Sequence, residues 1–238
     1  MTNLIDWALI AEQLPNYIQG LKVTLILLVI SLATGLLLSV PLAVARVSRR
    51  AWLARSVWLF TYVFRGTPLL VQMFVVYYGF AQFEWVRDSV AWIAFKNAWF
   101  CAWLTFALNT TAYTTEIIAG ALRATPSGEV EAAHSYGLTG YKLYTRILLP
   151  SALRRALPQY SNEAVGMMHA TAIASAVTLV DVTRVARDVY ANYLLPAEAF
   201  GTAAAIYFVL TFTLAGGFKL LELRFLRHLR AQQPTGSH

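Results

Sequence analysis

Three ionisable side chains, Arg65, Glu116 and Glu163, stand inside stretches of sequence that are otherwise apolar enough for a lipid bilayer. Charged groups are costly in hydrocarbon, so they pair with one another or line a polar path. Arg65 and Glu116 fall toward the same end of their segments, which predicts a structural ion pair between them. Glu163 has no Lys or Arg within one helical turn, so its partner comes from another helix or from a cationic ligand. Asn162, Thr67, Thr171 and Gln72 are the polar residues placed to share such a path with it. Gln72 and Asn109 could equally bond helix to helix. The Thr67-Pro68 step predicts a bend or unwound turn that frees a backbone carbonyl within the membrane. His169 has no ligand constellation around it and reads as a satisfied interior histidine.

Catalytic chemistry is harder to find. The stretch from Gly137 to Lys142 has too few residues between its glycines for a phosphate-cradling loop, and no Ser or Thr follows the lysine. No H-E-x-x-H, Cys/His cluster or nucleophile motif is present, so the sequence offers no catalytic residue and no metal site. The sequence therefore reads as binding no cofactor of its own. Cys101 is the single cysteine and cannot form an intrachain disulfide.

The elements that must position these groups are membrane helices. The chain is 58% hydrophobic and 13% charged, against about 25% charged in soluble domains. Five apolar segments, Leu21–Ala45, Val57–Phe80, Ala98–Leu122, Pro158–Val180 and Phe200–Leu221, approach the roughly 20 residues that cross a bilayer core. The fold class is therefore all-α and polytopic, with about five transmembrane helices. Of the Lys and Arg residues, 13 collect on one set of connections and 5 on the other, Arg65 lying within a segment. That asymmetry predicts an external N-terminus and a cytoplasmic C-terminus, and it accounts for the net charge of +7 without nucleic acid. Ala43-Val44-Ala45 mimics a signal cleavage site, but the long apolar run and the acidic flank (Asp6, Glu12) argue that the first segment is retained.

Residues 1–17 read as a short interfacial segment with Trp7 and Tyr17 at headgroup level, residues 18–222 as one membrane domain, and residues 223–238 as a basic tail. Within that domain the connection at 123–155 is unusual. Thr125-Pro126 is a helix start, Glu129 and Glu131 suit the positive end of the dipole, and Gly137 suits a left-handed C′ position. A helix over Pro126–Tyr136 and a second over Tyr141–Leu149, stopped by Pro150, would project together into the cytoplasm.

Glu131-Ala132-Ala133, three residues, Gly137, nine residues and Ile147-Leu148-Leu149-Pro150 resemble the EAA loop of ABC importer membrane subunits at every fixed position. Phe64-Arg65-Gly66-Thr67-Pro68-Leu69-Leu70-Val71-Gln72 resembles a signature of the polar amino acid permeases within that group. So does Asn109-Thr110-Thr111-Ala112-Tyr113-Thr114-Thr115-Glu116. The likeness spans residues 18–222 and is greatest to second membrane subunits of importers for histidine, lysine, arginine and ornithine. Where many relatives carry Lys-Asp-Thr or Lys-Asp-Ser, this chain has His169-Ala170-Thr171.

The resemblance implies a type I importer membrane domain in a bacterial inner membrane. It implies a similar or identical second membrane subunit, two ATP-binding subunits, and an extracytoplasmic binding protein that delivers an amino acid. Glu129, Glu131, Ala132, Ala133 and Gly137 become the ATPase-coupling surface, and glutamine or glutamate is the alternative substrate type. The rival reading is a secondary transporter or channel with a Glu163–His169 proton relay, which would leave the EAA loop without a purpose.

Overall fold

The structure is a computed structural model and describes residues 5–226. All the elements among the described residues are helical. In chain order they are α1 (Trp7–Arg46), α2 (Ala51–Gly66), α3 (Leu69–Phe74), α4 (Glu84–Arg87), α5 (Trp92–Phe95), α6 (Ala98–Arg123), α7 (Ser127–Ser135), α8 (Gly140–Leu143), α9 (Leu149–Ala170), α10 (Val182–Tyr193) and α11 (Pro196–Phe225).

The Asp6 carboxylate starts α1 by accepting from the Ala8 and Leu9 amides, both at 3.1 Å. The helix then runs for 40 residues, about 60 Å at 1.5 Å per residue, twice a hydrocarbon core. Residues 7–17 of the segment read as interfacial are thus its first turns rather than a separate element. Pro15 and Pro41 lie within it. By length and composition α1 and α11 are able to cross a membrane, and counting each bent helix pair as one span brings the number to four. The 26-residue α6 is as long as a span but carries Thr105, Asn109, Thr110, Thr111, Thr114 and Thr115 on buried positions, which lower its hydropathy.

Packing is layered along the helix axes. At one end Tyr17, Val182, Val185, Ala186 and Ala199 join the start of α1 to α10 and α11. In the middle Leu27, Met73, Phe106, Met167, Met168 and Val177 unite α1, α3, α6 and α9. At the far end Ala43, Ile118, Ala119, Ala152 and Ala156 close α1, α6 and α9 together. Alanine dominates this last layer, so the three backbones come close just where the 123–155 connection leaves. Small residues are used unevenly: Gly35 presses α1 on Thr110 of α6, whereas Gly79 meets only a neighbouring valine and Gly120 faces open space.

Candidate functional site

The second apolar segment is broken where the sequence says it should be. Pro68 has no N–H to give to the Phe64 carbonyl one turn back. The chain turns by 102° between α2 and the helical stretch that starts at Leu69. Two side-chain amides replace the missing donor: Gln72 Nε2 donates to Phe64 O at 2.7 Å and Asn109 Nδ2 at 3.2 Å. Gln72 also reaches Thr67 O (3.0 Å) and Thr67 Oγ1 (2.8 Å), and its own oxygen accepts from Asn109 at 3.2 Å. The bend is therefore built into side chains from two helices.

Its concave side opens on a cleft of roughly 480 Å³ lined by Arg65, Thr67, Asn109, Tyr113, Glu163 and Met167, among others. Gly66, Gly166 and Ala170 keep the walls low. The cleft has one acid, Glu163 on α9, and one base, Arg65 at the end of α2. Arg65 is exposed, its guanidinium carbon 5.2 Å from the centre of the Tyr113 ring, a cation–π contact that orients it without neutralising it.

Of the path residues read from sequence, Glu163 and Thr67 meet in this cleft. Asn162 is exposed, a helical step of about 100° away from Glu163, and is not part of the lining. Thr171 is a correction: it is fully buried and its hydroxyl donates to Met168 O at 2.6 Å, on its own helix. Gln72 is at the rim, but its amide is committed to the bend.

The expected Arg65–Glu116 pair is not formed. Glu116 instead holds Arg46 Nε at 2.7 Å and the Thr61 hydroxyl at 2.8 Å, with Arg123 at 4.0 Å. The reason is depth: Arg65 ends α2, one turn beyond Thr61 and about 21 Å from the start of that helix. Glu116 lies about 10 Å from the end of α6, level with the end of α1. His169 is another correction: it is exposed rather than interior, and its Nε2 meets Thr211 Oγ1 on α11 at 3.0 Å. Six residues from Glu163, it lies on a different face of the helix and outside the cleft.

The 123–155 connection forms a compact projection. Helix α7 starts at the Pro126 cap, and Thr125 does not cap it. At its end Gly137 sits at φ +72°, its N–H donating to His134 O (2.8 Å) while Leu138 donates to Ala133 O (3.0 Å). This is the paired closure for which a left-handed glycine is suited. Glu131, Ala132 and Gly137 face outward, Ala133 is buried, and Glu129 turns inward to Ser151 and Arg155. The second helix corrects the sequence reading, because Pro150 does not stop it. Residues Tyr144–Leu148 form a wide turn in which Leu149 N–H reaches Tyr144 O, five residues back, and the helix continues into α9. The widened turn shifts the bonding frame ahead of Pro150, so the missing N–H interrupts nothing. The second helix of the projection and the helix that carries Glu163 are one continuous rod.

Three functional residues escape the sequence reading: Arg46, Tyr113 and above all Arg155. Each carried a signal only as a member of a larger set, as one of many basic residues beside a turn or one aromatic in a polar run.

This arrangement, a broken helix over a charged cleft joined to an outward alanine–glycine loop, is that of an importer membrane subunit. The chain belongs to the family of binding-protein-dependent transport system inner membrane components, whose model matches residues 35–225. It is an ABC importer permease for amino acids. Among its relatives is the histidine/lysine/arginine/ornithine transport system permease protein HisM of Escherichia coli (strain K12), 45% identical over 92% of this chain and 91% of that protein. The nopaline transport system permease protein NocM of Agrobacterium fabrum is 40% identical over 96% of this chain and 95% of its own length. A crystal structure of an amino acid ABC transporter with histidines matches with a TM-score of 0.82 and 30% identity, over 93% of this chain and 100% of that one. The inward-facing methionine ABC transporter MetNI, at 16% identity and a TM-score of 0.76, shares the fold.

Proposed function

We propose that this chain is the membrane-spanning subunit of an ATP-driven importer for basic amino acids, with Glu163 as the charge that recognises the cationic side chain. One observation carries the reading: Glu163 and Arg65 line the same cleft, at the bend of a broken helix, and neither is consumed by an ion pair among the described residues. A zwitterion with an extra positive charge complements such a cleft, its carboxylate toward Arg65 and its side chain toward Glu163. Relatives named for histidine, lysine, arginine, ornithine, nopaline and octopine transport support the same substrate class.

In this proposal the chain crosses the inner membrane five times, N-terminus outside, with α6 and the two bent segments completing the spans. The inner end gathers Arg46, Arg123 and Arg155 in one layer, in keeping with the positive-inside asymmetry. A second, similar or identical membrane subunit completes the path, an external binding protein delivers substrate, and two partner subunits hold ATP and Mg²⁺. Glu131, Ala132 and the Gly137 turn, all exposed on the projection, form the surface that meets the ATPase.

The test is Glu163→Gln in the assembled complex, reconstituted in proteoliposomes with its binding protein. A charge-assisted contact contributes about 1.5–3 kcal/mol, so uptake of arginine and lysine falls about tenfold or more while assembly is kept. Parental uptake of both amino acids would remove Glu163 from recognition.

A further inference from the structure

We propose that Arg155 is the pin that makes the ATPase-facing loop, the inner end of α6 and the Glu163-bearing helix move as one body. It is a positioning residue for transport that touches neither substrate nor nucleotide. The proposal rests on the reading of the loop as the ATPase dock.

The geometry joins three elements at one guanidinium. Nη1 donates to Ser151 Oγ at 2.6 Å and to Glu129 Oε1 at 3.3 Å. Nη2 donates to Thr125 Oγ1 at 2.7 Å and to the Ala121 carbonyl at 3.3 Å. Ser151 closes the ring by donating to Glu129 Oε2 at 2.7 Å. Glu129 belongs to α7 and Ala121 to the last turn of α6. Thr125 lies in the connection between them, and Ser151 with Arg155 belongs to α9.

Each contact answers a need of the backbone. The Thr125 amide bonds Leu122 O rather than Ala121 O, which leaves the Ala121 carbonyl as an open acceptor at the helix end. A guanidinium there also complements the negative end of the α6 dipole. Only a planar fork with several fixed donors can serve all four acceptors at once, so lysine is not an equivalent. Arg155 sits eight residues, about 12 Å, below Glu163 on the same helix. Because the second helix of the loop runs into α9 without a break, a push on α7 that crosses the Arg155 ring reaches the cleft through this helix. Without the guanidinium the polar tie from α7 to α9 falls to the single Ser151–Glu129 bond and the tie to the α6 end is lost, so α7 keeps only the packing of Ala133 and can swing relative to both helices.

The measurement is the number of amino acids imported per ATP hydrolysed by the whole complex in proteoliposomes. Parallel readouts are assembly and the distance between spin labels on α7 and α6. Arg155→Met keeps length and apolar packing, and the Glu129 it leaves behind is 36% exposed in its side chain, so water can take it up. Arg155→Lys is the milder variant. We expect Arg155→Met to assemble and to hydrolyse ATP, with import per ATP reduced at least tenfold and a broadened α7–α6 distance. Arg155→Lys should fall between it and the parent. An unchanged import-to-ATP ratio in Arg155→Met overturns the proposal. Failure of both variants to assemble overturns it too, because Arg155 then only holds the fold together. Gly137→Val is measured alongside. If it imports normally, the loop is not the dock; if it stalls while Arg155→Met couples normally, the dock stands and the pin alone is lost.

Discussion

Replacing Gly35 by alanine should destabilise the parent protein and cost far less once the neighbouring threonine methyl is removed. Gly35 of α1 faces α6 so closely that an added Cβ would run into the Thr110 Cγ2 methyl and stand 3.3 Å from the Thr111 amide nitrogen. Thr110 is fully buried, so its methyl has nowhere to swing. Overpacking of this kind costs about 1–3 kcal/mol, while alanine recovers about 0.5–1 kcal/mol of helix preference over glycine. The net loss is about 1 kcal/mol, which lowers the thermal midpoint of a chain this size by about 2–4 °C. Thr110→Ser keeps the hydroxyl and removes the methyl. In that background Gly35→Ala meets no methyl, only the Thr111 amide nitrogen at 3.3 Å, and most of the loss in the midpoint should be recovered. The assay is a double-mutant cycle of thermal midpoints on purified protein in one detergent. An additive cycle would refute the reasoning, because the two residues would then not share the space the structure gives them.

Gln72→Glu keeps the size of Gln72 but brings oxygens where the Phe64 and Thr67 carbonyls need donors. It should therefore be less stable than Gln72→Leu, itself about 1–3 kcal/mol below the parent. Parental melting of Gln72→Glu would mean that the bend does not rest on this amide. Single cysteines at Asp88 and Asn192, both exposed, should react with an impermeant thiol reagent added outside intact cells. One at Ser127 should not, and the native Cys101 is buried and silent. Labelling at Ser127 would place the loop on the wrong side for an ATPase.

The parts legible in the sequence are those fixed by local covalent chemistry. Pro68 announces the broken helix because it lacks an N–H whatever surrounds it, and Gly137 announces the turn because few other residues tolerate its φ. What sequence does not display is depth and azimuth. Arg65 and Glu116 look like partners along the chain, yet one lies a turn deeper than the other's reach, and Arg46 is level with Glu116 from 70 residues away. Thr171 and Asn162 are polar residues near Glu163 that point round the helix and away from it. Pro150 reads as a stop because the widened turn ahead of it has no residue signature of its own. Arg155 is indistinguishable from Arg154 until the ring of Glu129, Ser151, Thr125 and Ala121 is seen in place.

The Arg46–Glu116 bond also sets an order of events during synthesis. Arg46 closes the first long helix, and its carboxylate partner follows 70 residues later. At about 5–20 residues per second, the ribosome needs about 4–14 s to supply it. During that interval a guanidinium stands at the corner of the first two helices whose counter-charge does not yet exist. Thr61 waits in the same corner for the same carboxylate. The hairpin made first is thus an open receptor for α6, whose carboxylate meets a charge and a hydroxyl translated before it.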